Sequence, residues 1–150
     1  MIGRSLSALA CAALLSGCYA TASPPPVAEA PVPQLSADQL RELTPAEKAT
    51  LSKGFAGGLK DPDSAKFQWT RVPKVLPADG MIDYCGLVNA KNSYGGYIGA
   101  QPFIGTIQVS KGKILTGAVG AVGDPTPMYR EILPKMCRDK GLDPFAVSAS

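Results

Sequence analysis

The sequence predicts an α+β fold: a four-stranded antiparallel sheet with an N-terminal and a C-terminal helix packed on it and one disulfide. Three observations support this prediction. Apolar residues recur with helical spacing after residue 44, four extended apolar segments follow between residues 66 and 122, and a second helical pattern begins near residue 126. Strands in a run with helices at the ends are typical of a sheet that carries its helices on one face, which is what we expect here.

The first helix is predicted to begin at Pro45. Thr44 and Glu47 form a capping box, and proline suits the first helical position because its missing N–H is not needed there. Ser36 with Gln39 offers a further capping box where the domain opens. An apolar stripe follows, one residue every four, formed by Leu51, Phe55 and Leu59.

Three glycines, Gly54, Gly57 and Gly58, each weaken this helix by about 1 kcal/mol relative to alanine. Their presence suggests close packing of the helix on the sheet. The sequence Asp-Pro-Asp-Ser at 61–64 then ends the helix and turns the chain.

Strands are predicted at 66–72, 81–90, 103–109 and 114–122, and a tight turn at 110–113 joins the last two. Each segment is rich in β-branched or aromatic residues and is bounded by glycine, proline or other turn formers.

The last helix is predicted to begin at Thr126 and Pro127, and Gly141 is a suitable C-terminal cap. Pro134 should kink this helix or split it in two, because proline removes a backbone hydrogen bond. Its apolar residues follow helical spacing and are Tyr129, Ile132, Leu133, Met136 and Cys137.

The N-terminus has the organisation of a signal peptide. Arg4 precedes an apolar stretch of about ten residues, which is too short to span a bilayer. Leu-Ser-Gly-Cys at 15–18 resembles the lipobox of bacterial lipoproteins. The resemblance implies that residues 1–17 are removed and that Cys18 carries the lipid. Tyr19 follows Cys18, whereas an aspartate at this position commonly retains such proteins at the inner membrane. The expected location is therefore the outer membrane, facing the periplasm.

Residues 18–35 are rich in proline and alanine and predict an extended tether rather than part of a core. Residues 36–150 then form one domain. Export would place the two remaining thiols, Cys85 and Cys137, in an oxidising compartment, and we predict a disulfide between them. The alternative, a reactive thiol, lacks a histidine base and a neighbouring cysteine.

Composition excludes several kinds of site. The chain has no histidine, which removes Ser–His and Cys–His nucleophilic pairs and histidine metal sites. The net charge of +3 is small and scattered, so no nucleic-acid partner is expected. A hydrolase would have to rely on aspartates such as Asp61 and Asp63, but a capped turn explains this pair more simply. We predict a non-enzymatic protein with no cofactor and no metal.

Two segments resemble a group of small proteobacterial exported or lipid-anchored proteins. These are Asp-Pro-Asp-Ser-Ala-Lys-Phe at 61–67 and Cys-Gly-Leu-Val-Asn-Ala-Lys-Asn-Ser-Tyr-Gly-Gly-Tyr at 85–97, followed by Pro-Phe at 102–103. The group shares these motifs and a second cysteine near the C-terminus. The resemblance covers about residues 45–138 and implies a common fold unit, but it implies no reaction.

The segment Tyr94, Gly95, Gly96 and Tyr97 is the candidate binding site. One interpretation is a glycine-rich loop that presents two tyrosines to a partner. The other is scaffold, in which the glycines let a sheet bend and both tyrosines pack on its face. The sequence favours a non-catalytic cell-envelope lipoprotein, membrane-bound through its anchor, that binds a protein or peptidoglycan. The alternative is an inhibitor of a lysozyme or protease.

Overall fold

The computed structural model describes residues 35–124 and 126–147. Two α-helices bracket most of the sheet: α1 spans Pro45–Ala56 and α2 spans Pro127–Asp139. The described residues form six strands, in the order β1 Leu40–Arg41, β2 Lys66–Gln68, β3 Val72–Pro73, β4 Asp79–Asn89, β5 Gln101–Ser110 and β6 Lys113–Val122. The predicted α+β class is confirmed, and no helix among the described residues is long and apolar enough to cross a membrane.

The main sheet is four-stranded and antiparallel throughout, in the order β2-β4-β5-β6. Strands β5 and β6 are joined by the predicted tight turn, in which Lys111 and Gly112 have φ values of 51° and 68°. β1 and β3 pair with each other in a separate two-stranded sheet. Adjacent long strands therefore follow one another in the chain, which makes the sheet a meander with one added edge strand.

The single strand predicted at 66–72 is wrong, because β2 ends at Gln68 and β3 belongs to the other sheet. The break lies at Thr70. The buried hydroxyl of Tyr84 accepts a hydrogen bond from the Thr70 N–H (2.9 Å) and donates one to its carbonyl (3.1 Å). The Thr70 hydroxyl donates to the Cys85 carbonyl at 2.6 Å. These contacts satisfy the backbone of Thr70 without a strand partner from the main sheet.

Helix α1 packs on one face of the main sheet. Its Phe55 is fully buried and lies within 5.1–6.3 Å, centroid to centroid, of four other aromatic rings, those of Phe67, Trp69, Tyr84 and Phe103. The predicted close packing is present at Gly54, where a Cβ would lie 2.3 Å from the Gly117 carbonyl oxygen. The missing side chain thus lets the helix backbone approach β6 directly.

Helix α2 packs on the opposite face, so the expectation of both helices on one face is wrong. Cys85 and Ile104 contact Leu133 and Cys137 of α2, whereas the strand neighbours Tyr84 and Phe103 belong to the Phe55 cluster. Consecutive strand residues point to opposite faces. Burial is continuous over 84–88 and 102–105, as expected for a sheet covered on both sides.

The predicted disulfide between Cys85 and Cys137 is confirmed, with an S–S distance of 2.07 Å. It ties β4 to α2 across 52 residues of chain. Helix α2 is continuous through Pro134, so the predicted split does not occur. Buried Leu133 and Cys137 hold the helix to the sheet on both sides of Pro134. The other three apolar residues of its pattern, Tyr129, Ile132 and Met136, are exposed.

The predicted caps of both helices are confirmed. Thr44 accepts a hydrogen bond from the Glu47 N–H, and the Glu47 carboxylate accepts one from the Thr44 N–H. The same carboxylate accepts hydrogen bonds from the two terminal guanidinium nitrogens of Arg41 at 2.7 and 2.8 Å, which lowers the pKa of Glu47 to about 2. At the other helix, Gly141 has a φ of 73° and its N–H donates to the Arg138 carbonyl.

Candidate functional site

The candidate binding segment lies in the connection between β4 and β5, and its turn is organised by Asn92. The Asn92 side-chain oxygen accepts hydrogen bonds from the N–H groups of Tyr94 (2.9 Å) and Gly96 (3.1 Å). Its backbone N–H donates to the Gly96 carbonyl, and Gly95 donates back to the Asn92 carbonyl. Gly95 has a φ of 80°, a conformation that glycine adopts without strain. The turn therefore has a defined internal structure.

The segments 61–67 and 85–97 meet at this turn, and Ser64 of the first segment makes the contacts. The Lys91 N–H donates to the Ser64 hydroxyl at 2.9 Å. The Tyr97 hydroxyl donates to the Ser64 carbonyl at 3.1 Å. A third link joins the Lys60 ammonium to the Ser93 hydroxyl at 2.9 Å. Three hydrogen bonds thus fasten the turn to the segment that follows α1.

Tyr94 and Tyr97 lie in different surroundings. Tyr97 is 43% exposed, and Lys66 and Lys91 lie over its ring at 5.0 and 6.0 Å from the centroid. Tyr94 is 96% exposed and projects from the turn. The scaffold interpretation, with both rings packed on a sheet, fails for Tyr94. Tyr97 fixes the turn to Ser64 through its hydroxyl, whereas the ring of Tyr94 is free of the domain surface, and the interpretation of 94–97 as a binding site stays a prediction.

Asp61 has a structural role. Its carboxylate accepts a hydrogen bond from the Ser64 N–H at 3.3 Å and caps a short 3₁₀ helix, Pro62–Ser64. The interpretation of 61–64 as a capped turn is confirmed. Asp63 is exposed on the same short helix. Within the part of the chain that the structure describes, no three His, Cys, Asp or Glu residues are grouped so as to hold a metal ion.

A cleft of about 390 Å³ lies beside the turn. It is bounded by the end of α1, the ends of β4 and β6, and the connection between β4 and β5. Its larger apolar lining residues are Leu59, Val88, Ile98, Val119 and Val122, and its charged lining residues are Lys60 and Lys91. Sequence reasoning missed this cleft, because its walls come from four segments that only the tertiary fold brings together.

The predicted lipid attachment residue, Cys18, lies outside the described residues, as do the predicted signal peptide 1–17 and residues 18–34 of the tether. Comparisons with protein-family models, with curated proteins and with solved structures find no match.

Proposed function

We propose that this protein is a non-catalytic cell-envelope lipoprotein that binds a protein or cell-wall partner through the turn at 92–97. Tyr94 carries the proposal. An aromatic side chain that is 96% exposed, on a turn fastened by its own hydrogen bonds, has no role in stabilising this domain. Tyrosine is enriched at binding hot spots because it buries a large area while losing few rotamers.

The fixed turn lowers the cost of binding. A flexible loop loses conformational entropy when a partner orders it, whereas a turn already held by Asn92 and Ser64 has lost most of that entropy on folding. On the same turn, the ammonium group of Lys60 lies beside the Ser93 hydroxyl, and those of Lys66 and Lys91 lie over the ring of Tyr97. This surface suits a partner that presents an apolar pocket next to acidic groups.

The proposed location in the cell envelope is inferred from the N-terminal sequence. Acylation at Cys18 would anchor the chain in the outer membrane, and the proline-rich tether would hold the domain away from the membrane surface. From there the turn would reach proteins or peptidoglycan in the periplasm.

Site-specific photocrosslinking in intact cells tests the proposal. A photoreactive phenylalanine analogue replaces Tyr94 in one variant and Val75 in the control, since Val75 is 87% exposed on a different connection. We expect a discrete adduct from position 94 that is absent from position 75. The same adducts from both positions, or none from position 94, would contradict the proposal.

An inhibitor of an envelope lysozyme or protease is a second candidate, because a projecting side chain on a fixed turn also suits insertion into an active-site cleft. Inhibition assays with the purified protein separate the two functions. Loss of inhibition in Tyr94→Ala would establish the inhibitor function, and absence of inhibition by the wild type would exclude it for the enzymes assayed.

A further inference from the structure

The cleft beside the turn lies next to the chain that follows the C-terminal end of α1, across from the ends of β4 and β6. Helix α1 has 12 residues and strand β5 has 10, which correspond to about 18 Å and about 34 Å. The helix ends at Ala56 and the chain turns at Gly57. The next three residues, Gly58, Leu59 and Lys60, line the cleft opposite residues 119–123.

The apolar surface of the cleft continues the hydrophobic core. Val88 belongs to the Phe55 cluster, and Leu59, Val119 and Val122 pack against that cluster. Ile98, in the connection between β4 and β5, contributes apolar surface from another side. A volume of about 390 Å³ lies within the range of about 300–1,000 Å³ for small-molecule sites, which are mainly apolar with a few polar groups.

The charge at the cleft is of one sign. Lys60 and Lys91 line it, and no aspartate or glutamate is among its lining residues. Within the described part of the chain, neither ammonium group has a carboxylate oxygen within 4.0 Å. The C-terminal end of α1 contributes about half a negative charge, which two full positive charges outweigh. The cleft therefore combines apolar walls with uncompensated positive charge.

We propose that this cleft binds an amphiphilic anion, a short alkyl chain that carries a carboxylate or a phosphate group. The alkyl chain lies along Val88, Val119 and Ile98, and the anionic head meets Lys60 and Lys91. Tyr94 does not line the cleft, although Lys60 and Lys91 belong both to the cleft and to the surface of the turn. The inference therefore goes beyond the proposed recognition function, because it concerns a different ligand and does not need the ring of Tyr94.

Calorimetric titration of the full chain tests the proposal, with Cys18→Ser so that no lipid of its own is attached. The probes are octanoate and octyl phosphate, and the controls are neutral octanol and cationic octylammonium. We expect saturable binding of one or both anions and at least tenfold weaker binding of octanol. The ratio between the two anions identifies the preferred head group.

Two variants locate the site. The double variant of Lys60→Gln with Lys91→Gln should bind the anion at least tenfold more weakly. The control is Lys111→Gln with Lys113→Gln, at the other end of β6, and its affinity should stay within twofold of the wild type. Ile98→Trp narrows the cleft without changing its charge and should also abolish binding. Wild-type protein that binds neither anion, or binds octanol as tightly, would overturn the proposal. Unchanged binding in the first lysine pair or in Ile98→Trp would do the same.

Discussion

Gly117→Ala should destabilise the domain through a clash with Phe55. A Cβ at position 117 would lie 2.4, 2.8 and 2.9 Å from three carbon atoms of the Phe55 ring. The ring cannot move aside easily, because it is fully buried and contacts four other aromatic rings. Overpacking of a core typically costs about 1–3 kcal/mol. We expect a loss near the upper end of that range.

Gly120→Ala, in the same strand, is the matched control. A Cβ there would come no closer than 3.4 Å to another group, the Ile104 carbonyl oxygen. The substitution also reduces the freedom of the unfolded chain, which stabilises by about 0.4–1 kcal/mol where the backbone permits. We therefore expect Gly120→Ala to be neutral or slightly stabilising.

Urea denaturation measures this effect. The proteins compared are the wild type, both glycine variants, Phe55→Leu, and the double variant of Phe55→Leu with Gly117→Ala. A smaller side chain at position 55 should relieve the clash, so Gly117→Ala should cost less in the Phe55→Leu background than in the wild type. Equal costs in the two backgrounds, or equal stability of the Gly117→Ala and Gly120→Ala variants, would refute the described packing of α1 on β6.

Three further predictions concern the disulfide, the helix cap and the anchor. Replacing Cys85 and Cys137 by alanine should lower the unfolding free energy by about 2–4 kcal/mol, because the bond closes a loop of 52 residues. An unfolding free energy equal to that of the oxidised wild type would contradict a stabilising role of the disulfide. The lowered pKa of Glu47 contributes stability that is present above about pH 4.5 and is lost as the pH falls towards 2, and we expect about 1–2 kcal/mol because solvent screens this partly exposed pair. Glu47→Gln should lower the unfolding free energy at neutral pH and should reduce its fall between about pH 4.5 and pH 2. If the fall at acid pH is unchanged in this variant, the ion pair with Arg41 does not cause it. Cys18→Ala should accumulate as unprocessed or soluble protein in detergent partitioning, and a variant that still partitions like a processed lipoprotein would rule out acylation there.

Local patterns predicted where both helices lie, and the two thiols left in the domain predicted the disulfide. The four-residue spacing of Leu51 and Phe55 and the capping box at Thr44 are properties of adjacent residues, and the structure retains them. The sequence also contains a pattern that predicts helices on both faces of the sheet. The nearly continuous apolar run from Tyr84 to Val88 is typical of a strand buried on both sides, rather than of an alternating pattern.

Features that depend on distant contacts could not be predicted in this way. The break after Gln68 results from the contact of Thr70 with Tyr84, 14 residues away. The different surroundings of the two tyrosines follow from the hydrogen bond between Tyr97 and Ser64, 33 residues apart. Neither contact has a signature in the local spacing of residues. Sequence reasoning therefore located the candidate turn but not the side chain that projects from it.

The central claim is that Tyr94 recognises a partner while Tyr97 fastens the turn. Thermal unfolding and partner capture in cells, measured together for Tyr94→Ala and Tyr97→Ala, test it most directly. Tyr94→Ala should keep the wild-type melting temperature within about 2 °C, since its side chain contributes little burial, and should lose the partner captured by the wild type. Tyr97→Ala should lower the melting temperature. A Tyr94→Ala variant that melts several degrees lower, or that stays folded and retains the partner, would contradict the account.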